Sequence, residues 1–203
     1  ICYIIGAGDV CDTDIVANEK DYIICADGGY KYSALLGREA DLVVGDFDSY
    51  GRIPDTESKI IAPCEKDDTD MALAVNEGLK RGYKEFVLIG ALGGSRIDHS
   101  IGNIQLLSYI ASEGATGEIH HNSTVLKAFS NSELVLPSHL KGYVSVFSLT
   151  EKSEGVNIIG LKYEVENFTM RYNLTRGLSN EFLGKESSIS VKNGTLLVVY
   201  NKN

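Results

Sequence analysis

No apolar run in this 203-residue chain approaches the roughly eighteen residues needed to cross a bilayer. The apolar opening, Ile1 to Ile5, is only five residues long and follows no basic segment, so it reads as a first strand and not a secretory signal. Cysteine is scarce. Cys2, Cys11, Cys25 and Cys64 form no C-x-x-C pair, and no histidine is spaced to complete a zinc site. Reduced thiols in a cytoplasmic protein are expected, with Cys2 and Cys25 buried in strand-like runs. The N-x-[ST] sequons at Asn122, Asn167, Asn173 and Asn193 then read as coincidental. Positive charge is in deficit: 19 basic against 28 acidic residues give a formal net charge of -9. That balance repels a nucleic-acid backbone and suits a cation, or a polyanion that arrives with metal. There is no low-complexity run, no internal repeat, and no G-x-x-x-x-G-K-[ST] segment, which excludes a P-loop.

What is present falls into two patterns. Residues 1–130 alternate short apolar runs with helical periodicity. The runs are Cys2–Ile5, Tyr22–Cys25, Leu42–Val44, Lys59–Ala62 and Phe86–Ile89, β-branched and nearly continuous, as in strands buried on both faces. Between them the spacing predicts helices over Thr69–Arg81, with Met71, Ala74, Val75 and Leu79 on one face and Gly82 as a stop, and over Ser100–Ala111. Alternation of this kind predicts an α/β fold with a Rossmann-like parallel sheet. Residues 131–203 show no helical period. Gly, Asn and Ser punctuate alternating runs at Glu133–Leu136, Tyr143–Leu149, Val156–Leu161, Phe168–Tyr172, Ser188–Val191 and Leu196–Tyr200, which predicts a small all-β sandwich domain. The segment Glu118–Phe129 is open to either side of the boundary.

Each predicted strand of the first domain runs into glycine or aspartate. Cys2–Ile5 leads to Gly6-Ala7-Gly8-Asp9, Tyr22–Cys25 to Ala26-Asp27-Gly28-Gly29, and Leu42–Val44 to Gly45-Asp46-Phe47-Asp48-Ser49. Lys59–Ala62 leads to Lys66-Asp67-Asp68-Thr69-Asp70, and Phe86–Ile89 to a segment ending Gly93-Gly94-Ser95-Arg96-Ile97-Asp98-His99. In an open parallel sheet these ends share one edge, where ligands bind. Glycine lets backbone N–H groups approach a phosphate, and carboxylates hold Mg²⁺ through hard oxygen ligands. Without a metal, Asp27, Asp46, Asp48, Asp70 and Asp98 would repel a polyphosphate; their coexistence with glycine loops is the reason to expect Mg²⁺.

Structural alternatives exist for single pieces. Asp27-Gly28-Gly29 is also turn chemistry, and Asp67, Asp68 and Asp70 also suit the start of a helix. Asp46-x-Asp48 is harder to read that way, because two carboxylates one residue apart point oxygens toward a single spot at a strand end. Arg96, between Gly94 and Asp98, is placed to meet a phosphate bidentately or to stand in solvent. His99 reads as a hydrogen bonder with a helper role left open.

The segments ADGG (Ala26–Gly29), GDFDS (Gly45–Ser49), KDDTDMALA (Lys66–Ala74) and GGSRIDHSIGN (Gly93–Asn103), in this order, resemble the motif set of the thiamine pyrophosphokinase family. GLKYEV (Gly160–Val165) and GLSNEF (Gly177–Phe182) resemble that family's thiamine-binding β domain, so the likeness covers nearly the whole chain. Ser95 departs from it, lengthening the glycine loop by one before Arg96. The resemblance implies transfer of the diphosphate of ATP to the hydroxyl of thiamine, with Mg²⁺ as cofactor. It implies a nucleotide- and Mg-binding catalytic domain over 1–130 and a thiamine-binding sandwich over 131–203. It also implies a homodimer with active sites at the subunit interface. Asp46, Asp48 and Asp70 would hold Mg²⁺, and Asp98 would orient the hydroxyl or make a second metal contact. Asp27, Gly28, Gly29 and Arg96 would hold nucleotide or phosphates, with His99 beside them. Lys66 would steady the transferred diphosphate, and Ser179 and Asn180 would contact thiamine. With no Trp, stacking on thiamine falls to Tyr, Phe or His. The rival readings are a pterin-type diphosphokinase, a phosphohydrolase using Asp46-x-Asp48, and a non-catalytic thiamine or nucleotide sensor.

Overall fold

Four uninterrupted apolar residues, Cys2–Ile5, form strand β1, and all four are buried. They lie inside a parallel sheet, paired on both sides, in the computed structural model, which describes residues 1–10, 15–46, 58–61 and 67–202. The chain divides into two units, Ile1–Leu106 with Ile119–Asn122, and Leu107–Glu118 with Ser123–Asn203.

In the first unit β1 pairs in parallel with β2 (Tyr22–Ala26) on one side and β5 (Glu85–Ile89) on the other. β2 pairs with β3 (Leu42–Gly45), and β3 with β4 (Lys59–Ile61), also in parallel. The order is thus β5-β1-β2-β3-β4. Both faces are covered, which explains the lack of alternation in the strands. Tyr3, Ile5, Ile23, Cys25, Val43 and Ile89 pack with Leu36 into one cluster. On the other face a side chain at Gly78 would strike Phe86 and Cys2, so helix α1 (Asp70–Lys80) lies directly on the sheet there. Leu36 closes a 3-10 helix, Asp27–Leu36, that ends at Gly37 with φ 82°. Helix α2 runs Ile97–Ser112, three residues earlier than its periodicity predicts. The thiols of Cys2 and Cys25 are free and buried, and burial pushes both up to about 12. No helix among the described residues is long and apolar enough to cross a membrane.

Strand β6 (Thr116–His121), whose residues are divided between the two units, turns at Asn122 (φ 52°) into β7 (Thr124–Ser130). The following strands are β8 (Glu133–Leu136), β9 (Tyr143–Ser148), β10 (Lys152–Ile159), β11 (Val165–Arg171), β12 (Asn180–Glu181), β13 (Ser187–Ser190) and β14 (Thr195–Asn201). They pair antiparallel in the orders β7-β14-β9-β12 and β8-β13-β10-β11. Val144, Val146, Leu196 and Val198 from one sheet meet Leu136, Val156, Ile158, Met170 and Ile189 from the other, so the two sheets form a sandwich around one core.

Candidate active site

The register of the parallel strands fixes where their ends fall. Ile5 is level with Cys25 and with Ile89; Ala26 is level with Val44, and Gly45 with Ile61. The residues just beyond, Gly6, Asp27, Asp46 and Gly90, therefore lie along one edge. The chain steps outward from β1 through β4, then returns to β5 on the far side of β1. That reversal makes the β1–β5 gap the switch point where open α/β sheets bind ligands.

Backbone contact governs this edge. A side chain at Gly6 would come within 2.7 Å of the Gly90 carbonyl oxygen, and one at Gly8 within 2.6 Å of the oxygens of both Gly90 and Leu92. Gly6 N–H donates to Ile89 O at 2.8 Å, Gly8 N–H to Gly90 O at 2.8 Å, and Asp9 N–H to Leu92 O at 3.0 Å. The loops after β1 and β5 are laced together with no room for a Cβ between them. The sequence places Asp9 only at a strand end. Its carboxylate lies against Gly93, where any side chain would collide with it. Gly29 is held in the same way, because a Cβ there would run into the Ile5 carbonyl. Its lack of a side chain is explained by packing onto β1.

Asp27 stands out. It is 8% exposed, has φ 44°, and its Oδ1 is buried with no hydrogen-bond partner among the described residues. A positive φ is uncommon outside glycine, with Asp and Asn the usual exceptions. Gly45 accommodates it: a side chain at Gly45 would lie 3.0 Å from the Asp27 Cα. The strained residue is thus wedged beside the residue that precedes Asp46. Asp46 is half-buried, as is Asp70, the first residue of α1. The cap of α1 is Thr69, whose Oγ1 accepts from the Ala72 N–H at 3.2 Å; Asp67 and Asp68 precede the helix, exposed. Gly28 is buried. Asp48 and Lys66 lie outside the described residues. Among the described residues no three carboxylates, imidazoles or thiols converge closely enough to hold a metal alone.

Arg96 and Asp98 are brought to each other. Arg96 Nε donates to Asp98 Oδ1 at 3.0 Å and Nη2 to Oδ2 at 2.6 Å, with both side chains well exposed. The Arg96 hydrogen bonds hold the Asp98 carboxyl down at about 2. His99 is exposed in the same helical turn. The loop is anchored from behind by Asn103, 7% exposed, whose Nδ2 donates to Ala91 O at 2.6 Å.

In the second unit the GLSNEF segment is held by its own contacts. Gly177 abuts Val146, whose N–H donates to Gly177 O at 2.9 Å, and a side chain at Gly177 would strike the Val146 carbonyl. Ser179 is exposed with φ 57°, and its N–H donates to Ser145 Oγ at 3.1 Å. Asn180 is 5% exposed, and its carboxamide is engaged with backbone. Nδ2 donates to Tyr163 O at 2.8 Å, while Oδ1 accepts from the N–H groups of Tyr163 and Glu181, each at 2.9 Å. It fixes Tyr163, which is left 59% exposed.

A parallel sheet with glycine backbone and carboxylates along its carboxyl edge, followed by a β-sandwich, defines a two-part α/β protein whose switch point lies where open parallel sheets bind ligands. Residues 13–116 match the family model "Thiamin pyrophosphokinase, catalytic domain", and residues 132–196 match "Thiamin pyrophosphokinase, vitamin B1 binding domain". The chain belongs to the thiamin pyrophosphokinase family, a family of enzymes. It is 26% identical over 162 residues to a thiamine pyrophosphokinase of Bacillus subtilis, spanning 76% of this chain and 75% of that protein. It is 26% identical over 194 residues to thiamin pyrophosphokinase 1 of Caenorhabditis elegans, spanning 85% and 78%. The crystal structure of a thiamine pyrophosphokinase from Bacillus subtilis superposes over the full length of both chains with a TM-score of 0.82 at 23% identity, a likeness of fold.

Proposed function

We propose that this chain transfers the diphosphate of ATP to the hydroxyl of thiamine, giving thiamine diphosphate and AMP. The observation that carries this reading is the sheet edge where Asp27 is wedged beside Gly45, the residue before Asp46, in a chain that matches both family models. The thiamine oxygen attacks the β-phosphorus, the bond from that phosphorus to the oxygen bridging it to the α-phosphate breaks, and AMP leaves. Little covalent work falls to the protein; positioning and charge neutralisation dominate.

The residues fit Mg²⁺ in donor type. The buried, unpartnered Oδ1 of Asp27 and the neighbouring Asp46 are hard oxygens of the kind that ion takes. Asp46, Asp48 and Asp70 would hold it, and it would neutralise the charge of the triphosphate. Asp27, Gly28 and Gly29 orient the nucleotide, and Lys66 steadies the diphosphate. Arg96 binds a phosphate when it exchanges its Asp98 partner for one, which frees Asp98 to orient the thiamine hydroxyl; His99 assists from the same turn. Ser179 contacts thiamine, and Asn180 sets the loop through Tyr163. We assign the nucleotide to 1–130 and thiamine to 131–203, in a cytoplasmic homodimer whose active sites lie at the subunit interface.

ATP labelled at the γ-position tests the reaction: label should pass to thiamine diphosphate with an equal amount of AMP. ADP with thiamine monophosphate, or phosphate released independently of thiamine, would overturn it. Mixing Asp48→Asn with Ser179→Ala/Asn180→Ala chains tests the shared sites. Recovered activity supports them, and none from proven heterodimers places each site within one chain.

A further inference from the structure

Antiparallel pairing of β10 with β11 sets Lys152 directly opposite Arg171. Facing residues of such a pair have their Cβ atoms about 5 Å apart, and like charges there are destabilising. In a chain of net charge -9 this pairing of two cations calls for an explanation. Both line one groove of about 420 Å³, together with Glu154, Thr169 and Arg176. That volume lies within the usual range for small-ligand pockets. Lys152 Nζ bonds Glu154 Oε1 at 2.9 Å. Arg171 and Arg176 have no carboxylate at ion-pair distance among the described residues, so three cations face one carboxylate. The remaining walls are carbon: Phe168 is half-buried, Met170 buried, and Leu174 46% exposed.

We propose that this groove is a second ligand site of the β unit, one that takes a small phosphate-bearing molecule with an apolar body. The anion would settle the like-charged pair. Arginine is suited to grip it, because its fork meets two phosphate oxygens at once. The body would rest on Phe168 and Leu174. Every residue of the groove belongs to β10, β11 or the segment that follows, and none is among the residues assigned to the transfer chemistry above.

The test is amide NMR of the full chain, titrated with phenyl phosphate, inorganic phosphate and phenol. Phenyl phosphate should shift the amides of Thr169–Arg176 saturably, and bind there about fivefold tighter than inorganic phosphate. Phenol should leave them in place. Arg171→Gln/Arg176→Gln should weaken that binding about tenfold or more, with an otherwise unchanged spectrum and with turnover at saturating substrates preserved. Shifts confined to the loops around Gly6, Asp27 and Gly90, no saturable shift, or equal affinity in the double variant would each overturn the site. Equal binding of phenyl and inorganic phosphate would overturn the apolar part.

Discussion

The two units build their polar surfaces from different material. At the carboxyl edge of the first, the geometry is set by main chain: glycines at 6, 8, 29, 45 and 90 let loops touch where no Cβ fits, and one strained aspartate is wedged among them. In the second unit the groove beside β10 and β11 is lined by long side chains from a bulged strand pair and from the segment that follows it. A main-chain site is exact in position and intolerant of change. A side-chain site can lose one member and keep its shape.

The largest consequence of that contrast is catalytic. Asp27→Asn and Asp46→Asn should each lower turnover by about a hundredfold or more, with the urea midpoint unchanged. Asparagine also tolerates the positive φ of Asp27, so only charge is removed. Arg171→Gln should leave turnover alone. If Asp27→Asn stays active, the buried carboxylate is structural and the contrast fails at its most strained point.

Next come the close approaches, which test whether intolerance belongs to the site or to bare backbone anywhere. Gly29→Ala and Gly177→Ala each drive a methyl into a carbonyl, of Ile5 and Val146 respectively. Each should cost about 3 kcal/mol in denaturant unfolding. Gly102, in α2 with nothing near its missing side chain, should gain about 0.5–1 kcal/mol as Gly102→Ala. A loss at Gly29 alone would confine the effect to the first unit.

Asn180→Ala removes a carboxamide that brackets Tyr163 and should cost about 2 kcal/mol while raising KM for thiamine more than it lowers kcat. A fall in kcat alone would place Asn180 at the reacting atoms.

The smallest effect concerns the exposed pair. Arg96 depresses the Asp98 carboxyl, so the pair's contribution is complete above the ordinary value of 3.8 and is lost as pH falls through about 2. Carboxyl NMR should show Asp98 ionised throughout pH 4–8, and Arg96→Ala should return its midpoint toward 3.8. Across that range the pair is opened by a competing anion, not by protons.

Much of this was readable in the sequence where one physical rule dominated. Burial on both faces makes the parallel strands continuous apolar runs, and β1 begins and ends where its pattern does. Stepping between parallel strands was enough to place Asp27 and Asp46 on one edge. The 3-10 helix at Asp27–Leu36 leaves no sequence signal beyond its opening Asp27-Gly28-Gly29, because only Leu36 of its apolar residues is buried and no periodicity results. β10 starts at Lys152 and not at Val156, since its opening residues are polar. Ser153 is fully buried there by bonding Ser148 Oγ at 2.8 Å and Thr195 O at 3.1 Å. The pairing of Arg96 with Asp98, the Asn180 bracket on Tyr163 and the contact of Gly29 with Ile5 are products of three-dimensional proximity, and no local pattern announces them.

The position of β1 bears on how the molecule assembles during synthesis. β1 can join β2 at once, but its other neighbour, β5, is made more than eighty residues later. Closing so long a loop is slow compared with forming a local hairpin. The crevice between them therefore appears only after β2, β3, β4 and α1 have been made. Until Gly90 arrives to meet Gly6, the nascent protein carries β1 with one edge unpaired, and a chaperone would find its natural foothold there.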